Sequence, residues 1–130
     1  MITPTPKSEL YQEEFRYLFS KKAFCVRGAL VSAAFVEGQI LLLAKPSLGK
    51  GVKYKRESLQ EYFQSLKVLE ATKILNSREL GEINRFREER NKAIHGIFKG
   101  MTRSEWEEQN AKVVRLGRPI IENLDKKLYP

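Results

Sequence analysis

The sequence predicts an all-α protein, an up-and-down bundle of four or five helices with a kinked C-terminal helix. Three observations predict it. Apolar residues recur at three- and four-residue steps over most of the chain, no period-two alternation of useful length occurs, and Ser, Pro and Gly punctuate the periodic runs. The 130 residues suit one domain, 1–130, around one core. With 42% hydrophobic and 31% charged residues, the composition fits helices that have solvated outer faces.

Residues 1–7 carry two prolines and read as an extended lead-in. Ser8 is a plausible N-cap for a first helix whose apolar positions are Leu10, Phe15, Leu18 and Phe19. Ala23 to Lys45 forms a second helix, or continues the first. It is apolar nearly all round, as the most buried helix of a bundle should be. Pro46, Gly49 and Gly51 end it in a loop. A third helix is expected over about 57–76, with Leu59, Tyr62, Phe63, Leu66, Leu69, Ile74 and Leu75 as apolar positions. Ser77 can cap a fourth, with Leu80, Ile83, Ala93, Ile94 and Ile97 facing inward and Gly96 and Gly100 closing it. Ser104 with Glu107 makes a capping box for the last helix, and Pro119 within it predicts the kink.

Lys and Arg number 24 against 16 Asp and Glu, a formal net charge of +8. That excess favours polyanionic partners, because each cationic contact to a phosphate backbone releases counterions. The lone cysteine, Cys25, lies in an apolar stretch and is expected to be a small core residue. The start, Met-Ile-Thr-Pro-Thr-Pro, lacks the basic and apolar regions of a secretory signal. Arg27, Glu37 and Gln39 interrupt the longest apolar region below the roughly 20 residues of a membrane span. A cytoplasmic protein without membrane contact is therefore expected. No second His, cysteine pair or acidic cluster suggests a metal, and no cofactor is expected.

The fourth helix breaks its own pattern. Its apolar stripe runs through Leu80 and Ile83 to Ile94 and Ile97, and the positions between are Arg87 and Arg90. An arginine on an apolar face is costly unless a carboxylate or a bound anion satisfies it. Beside that stripe runs a polar one, Asn84, Glu88, Asn91 and His95, with Asn91 and His95 one turn apart. Glu37, embedded in the second helix, can be a buried carboxylate that orients Arg90 across the helix pair, or can pair with Arg27 or Arg87, or can sit exposed at the helix edge. His95 can equally be the residue that finishes the helix before Gly96.

Arg90-Asn91-x-x-x-His95 resembles the R-x(4–6)-H signature of HEPN domains, in which Asn or Asp commonly follows the Arg. Its place on a late helix of a four- or five-helix bundle, after a long apolar helix carrying a glutamate, is similar too. The resemblance implies a metal-independent endoribonuclease, often the toxin of a toxin–antitoxin or phage-defence system. Cleavage through the RNA 2′-hydroxyl needs a base, an acid and a cation for the phosphorane charge. A histidine can serve either proton transfer, and an arginine fork suits the phosphate. Arg90 would hold the phosphate, and Asn91 would position it or orient His95. One chain has one histidine, and HEPN proteins dimerise so that two motifs face one cleft, which implies a homodimer here. An antitoxin protein is a possible partner. The tyrosine that some nucleotidyltransferase antitoxins modify, two residues after the histidine, is Ile97 here, so that mode of control is in doubt.

Lys50, Lys53, Tyr54, Lys55 and Arg56 place four cations around one aromatic ring. Such a loop can track RNA with Tyr54 stacked on a base, or can be merely solvated. The alternative to the nuclease is a non-catalytic HEPN-like module that binds RNA or a protein and has a regulatory role. A helix-turn-helix regulator is disfavoured, because the basic residues precede a helix and do not run along one.

Overall fold

The computed structural model describes residues 7–47 and 59–130. Among the described residues five helices follow in order: α1 (Glu9–Leu18), α2 (Val26–Ala44), α3 (Leu59–Ala71), α4 (Ser77–His95) and α5 (Arg103–Leu128). Single 3-10 turns occur at Lys21–Ala23, Lys45–Ser47 and Gly96–Phe98, and no strand occurs among the described residues. The expected all-helical bundle is thus the fold. Lys50, Lys53, Tyr54, Lys55 and Arg56 lie outside the described residues.

Helix α2 is the centre of the packing and meets all four other helices. Its buried residues Ala29, Ala33, Val36, Ile40 and Ala44 recur at three- and four-residue steps, and α5 answers with Val113, Val114, Ile120, Ile121 and Leu124. Leu18, Leu66, Leu69, Ile83 and Phe86 bring α1, α3 and α4 into the same cluster. Each large apolar side chain so buried contributes roughly 1.5–3 kcal/mol. By length and mean hydropathy alone, Val26–Ser47 would also pass as a membrane span; in the fold it is the helix around which the others pack.

Local chemistry sets the helix ends, and it moves several of them from where periodicity puts them. Ser8 caps α1 as expected, its Oγ accepting from the Tyr11 amide at 3.1 Å. The turn at Lys21–Ala23 separates α1 from α2, and Cys25 is the extended N-cap of α2. Cys25 is consequently exposed, not part of the core. Helix α3 ends at Ala71, short of the predicted residue 76, where Lys73 turns left-handed (φ 60°). Asn76, not Ser77, caps α4, because it sits extended with Glu79 three residues on and the two complete a capping box. The box of α5 is likewise Thr102 with Glu105, not Ser104 with Glu107. Gly100, at φ 80°, ends the preceding turn, so the chain is already extended at Thr102. Helix α5 runs from Arg103 to Leu128 with Pro119 inside it. Leu10, predicted as apolar packing, is 67% exposed.

Polar stitching fixes how the helices sit. From α5, Arg118 Nε donates to the Leu18 carbonyl (2.8 Å), an acceptor that the end of α1 leaves open, and Nη2 donates to the Ser20 carbonyl (2.7 Å). Gln39 donates to the Tyr11 hydroxyl (3.0 Å) and to the Ile121 carbonyl (3.1 Å), tying α2 to α1 and α5. On α4, the buried Glu89 accepts from Gln109 Nε2 at 2.7 Å and pairs with Lys92 at 3.1 Å and Lys112 at 3.4 Å. The Gln109 hydrogen bond, then those of Lys92 and Lys112, hold its carboxyl down to about 2 against the opposing effect of burial.

Because the folded pKa of Glu89 lies below the ordinary carboxylate value of 4.5, its stabilisation is present above that value and fades as pH falls toward about 2. In denaturant unfolding, Glu89→Gln is expected to be less stable than wild type at neutral pH by up to about 3 kcal/mol. The gap should close between pH 4.5 and 2; a gap that stays constant with pH would contradict the assignment. A second expectation concerns two glycines of α2. A Cβ on Gly28 would lie 1.6 Å from the Ala23 carbonyl oxygen, whereas one on Gly38 would meet nothing within 4 Å. Thermal melts should show Gly28→Ala destabilised by about 3 kcal/mol or more, the upper end of overpacking costs. Gly38→Ala should be stabilised by roughly 0.5–1 kcal/mol through helix propensity.

Candidate functional site

Helix α4 buries Ile83, Phe86, Glu89 and Ala93, which fixes its rotation against α2 and α5. At about 100° per residue, Arg87, Arg90, Asn91 and His95 then fall within an arc of about 140° beside that buried strip. Arg90 stands at the edge of the apolar face, 31% exposed. It faces Glu37 of α2, with Nη1 3.7 Å from Oε1 and the carboxylate half-exposed. Glu37 thus approaches Arg90 from an exposed position at the helix edge, not as a buried carboxylate. Arg27 instead grips Glu14 through Nη2 at 2.7 and 2.8 Å. Arg87 instead lies over aromatic rings, its guanidinium carbon 4.5 Å from the centre of Phe63 and 5.8 Å from that of Tyr62.

The hold on Arg90 is loose. A separation of 3.7 Å is a charge pair beyond hydrogen-bond length. Arg90 Nε is buried and has no hydrogen-bond partner among the described residues. An arginine presents its donors in a fixed fork matched to carboxylate or phosphate oxygens, and among the described residues this fork makes no hydrogen bond. Among the described residues the guanidinium faces the Glu37 carboxylate, and at 31% exposure its outer N–H groups, though not the buried Nε, are open to solvent.

Tyr62 belongs to the same patch and was counted in the sequence only as an apolar position of α3. Burial pushes its phenol up to about 12; Arg87 and Arg90 pull it down and Glu37 adds to the rise. Tyr62 is therefore a neutral hydroxyl beside two guanidinium groups and a carboxylate. The signal in the sequence was the residue type itself, since a tyrosine on an apolar stripe brings a hydroxyl that needs a polar neighbour.

Farther along α4, Asn91 is half-buried and His95, the last residue of the helix, is exposed. Ile94 and Ile97 do not face inward as predicted: they are 43% and 63% exposed, and Phe98 is 87% exposed. Among the described residues, cover at this end comes from α5 and the turn before it. Trp106 of α5 donates its indole N–H to the Ala93 carbonyl at 2.8 Å, and Gly96 abuts Met101 and Trp106. The opposite side of the turn, with Ile94, His95, Ile97 and Phe98, is open to solvent.

Among the described residues the site is an open face. A groove of about 470 Å³ lies elsewhere, between α1 and α2, lined by Tyr11, Val31, Phe35 and Leu42 among others. No three His, Cys, Asp or Glu side chains among the described residues are grouped to hold a metal ion. The groups the face carries are the guanidinium groups of Arg87 and Arg90, the amide of Asn91 and the imidazole of His95. Comparison of the chain with protein-family models, curated proteins and solved structures gives no match in any of the three.

Proposed function

We propose that the protein is a metal-independent endoribonuclease of the HEPN type, acting at a homodimer cleft through Arg90 and His95 with Asn91 in support. The observation that carries the proposal is the α4 face, where a guanidinium that makes no hydrogen bond among the described residues adjoins an amide and an exposed imidazole on a chain of net charge +8. Arg90 binds the scissile phosphate and stabilises the charge that grows on it, while Glu37 sets its orientation. His95 takes the proton from the RNA 2′-hydroxyl as that oxygen attacks phosphorus. The bond to the 5′-oxygen breaks, a 2′,3′-cyclic phosphate forms, and the leaving oxygen receives a proton. His95 of a second copy supplies that proton. The exposed Ile94, Ile97 and Phe98 beside His95 support a second copy docking there, since their burial would favour association. A toxin or phage-defence role in the cytoplasm, held in check by an antitoxin protein, fits this activity.

The Arg90–Glu37 pair also favours a second reading. Such a pair can pin α2 to α4 with no chemistry, leaving a non-catalytic HEPN-like module that binds RNA or a protein partner.

The test is RNA cleavage by purified wild type and His95→Ala in EDTA, with analysis of the product ends. Wild type should leave 2′,3′-cyclic phosphate, and His95→Ala should be slower by roughly 10²–10⁴-fold, the usual size of a lost proton-transfer group. Equal rates, or loss of wild-type cleavage in EDTA, would sink the proposal. RNA binding without cleavage by either protein would favour the second reading.

A further inference from the structure

The groove between α1 and α2 holds about 470 Å³, within the roughly 300–1,000 Å³ usual for small-molecule sites. Leu10 of α1 and Val31, Phe35 and Leu42 of α2 give it apolar walls, and Leu10 and Leu42 are exposed. On the α2 side the wall runs from Val31 to Leu42, about 16 Å along the helix axis, so the groove is long. Gly38 keeps its middle open, since a Cβ there would meet nothing within 4 Å.

The polar groups of the wall are spoken for, with one exception. Arg27 grips the Glu14 carboxylate at 2.7 and 2.8 Å, and the Tyr11 hydroxyl donates to Asp125 at 2.7 Å. Gln39, 2% exposed, spends Nε2 on the Tyr11 hydroxyl and the Ile121 carbonyl. Its Oε1 is closed to solvent and accepts no hydrogen bond among the described residues. Buried acceptors are rarely left so, because the lost hydration is not repaid.

We propose that the groove binds a neutral single-chain amphiphile, a fatty alcohol or a primary fatty amide, whose O–H or N–H donates to Gln39 Oε1. The long apolar walls suit an extended alkyl chain, whose burial there is favourable. Gln39 fixes the headgroup, because an amide oxygen only accepts and the ligand must therefore bring the proton. A fatty acid fits badly at neutral pH. Its carboxylate has no proton to donate, and the one charged group of the wall is the Glu14 carboxylate, whose cation is already engaged. The headgroup gains Oε1 as the exposed Leu42, three residues on along α2, changes rotamer. This site shares no residue with the α4 face and stands or falls apart from the nuclease reading.

The experiment titrates the isotopically labelled full chain with decanol, methyl nonyl ether or decanoate, each below its aggregation limit, and follows it by two-dimensional NMR. The Gly38 amide and the Gln39 side-chain amide are the reporters. Decanol should shift both saturably. Methyl nonyl ether, of equal size but without a donor, should bind about 2- to 10-fold more weakly, the worth of one net hydrogen bond. Decanoate should be weaker than decanol. Gly38→Leu fills the middle of the groove and should abolish the saturable shift, with a melting temperature at or above that of wild type. Four outcomes would each overturn the proposal: no saturable shift with decanol, shifts confined to the exposed Ile97–Phe98 end, equal affinity for ether and alcohol, or unchanged binding by Gly38→Leu. Decanoate binding as tightly as decanol would overturn the choice of a neutral headgroup.

Discussion

Helices α2, α4 and α5 meet where Gly117 of α5 leaves no room for even a methyl group. A Cβ there would stand 2.9 Å from the Phe86 ring of α4 and 3.3 Å from Cβ of Ser32 on α2. With all three residues buried, this contact fixes the rotation of α4 about its own axis. Everything on the open side of α4 inherits that rotation. Turning the helix by one residue would swing Arg90 by about 100° and end its approach to Glu37. Packing that forms the core therefore also aims the polar face, and interiors packed this closely do not yield by small increments.

Glu89 of α4 and Glu37 of α2 show how unevenly the fold distributes its electrostatics. Glu89 is buried, hydrogen-bonded by Gln109 and flanked by Lys92 and Lys112, which makes a closed network between α4 and α5. Glu37 is half-exposed and reaches Arg90 only at 3.7 Å. Surface pairs of the second kind contribute roughly 0–1 kcal/mol. The first kind fastens the bundle, whereas the second orients a cation and leaves its donors available. Tyr62, buried beside these groups, adds a hydroxyl to that patch without adding charge.

Much of this was legible in the sequence, for identifiable reasons. Helical periodicity survives burial, so the order of the helices and the central place of α2 could be read directly. An arginine at a stripe position predicts a carboxylate across the interface, and Glu37 was the glutamate embedded in the most apolar helix. Helix ends were less legible because capping patterns overlap: Thr102 with Glu105 and Ser104 with Glu107 both satisfy the rule, and only the left-handed Gly100 chooses between them. The exposure of Cys25, Ile94 and Ile97 was not legible at all. Periodicity shows which face is apolar, but the presence of a neighbouring element over that face depends on where the other helices stop. Arg87 misled for a related reason, since the aromatic rings that receive it belong to α3.

The proposed chemistry makes the RNA's own 2′-hydroxyl the nucleophile, and that claim can be tested on the substrate, leaving the protein unchanged. The direct measurement takes an oligoribonucleotide cut by wild type and replaces the nucleotide 5′ to the cut with its 2′-deoxy form. Cleavage at that bond should vanish while binding stays within about twofold, because one hydroxyl adds little to contacts dominated by phosphate and base stacking. Cleavage at an unchanged rate would show that another nucleophile attacks, and the roles given to His95 and Arg90 would fall with it.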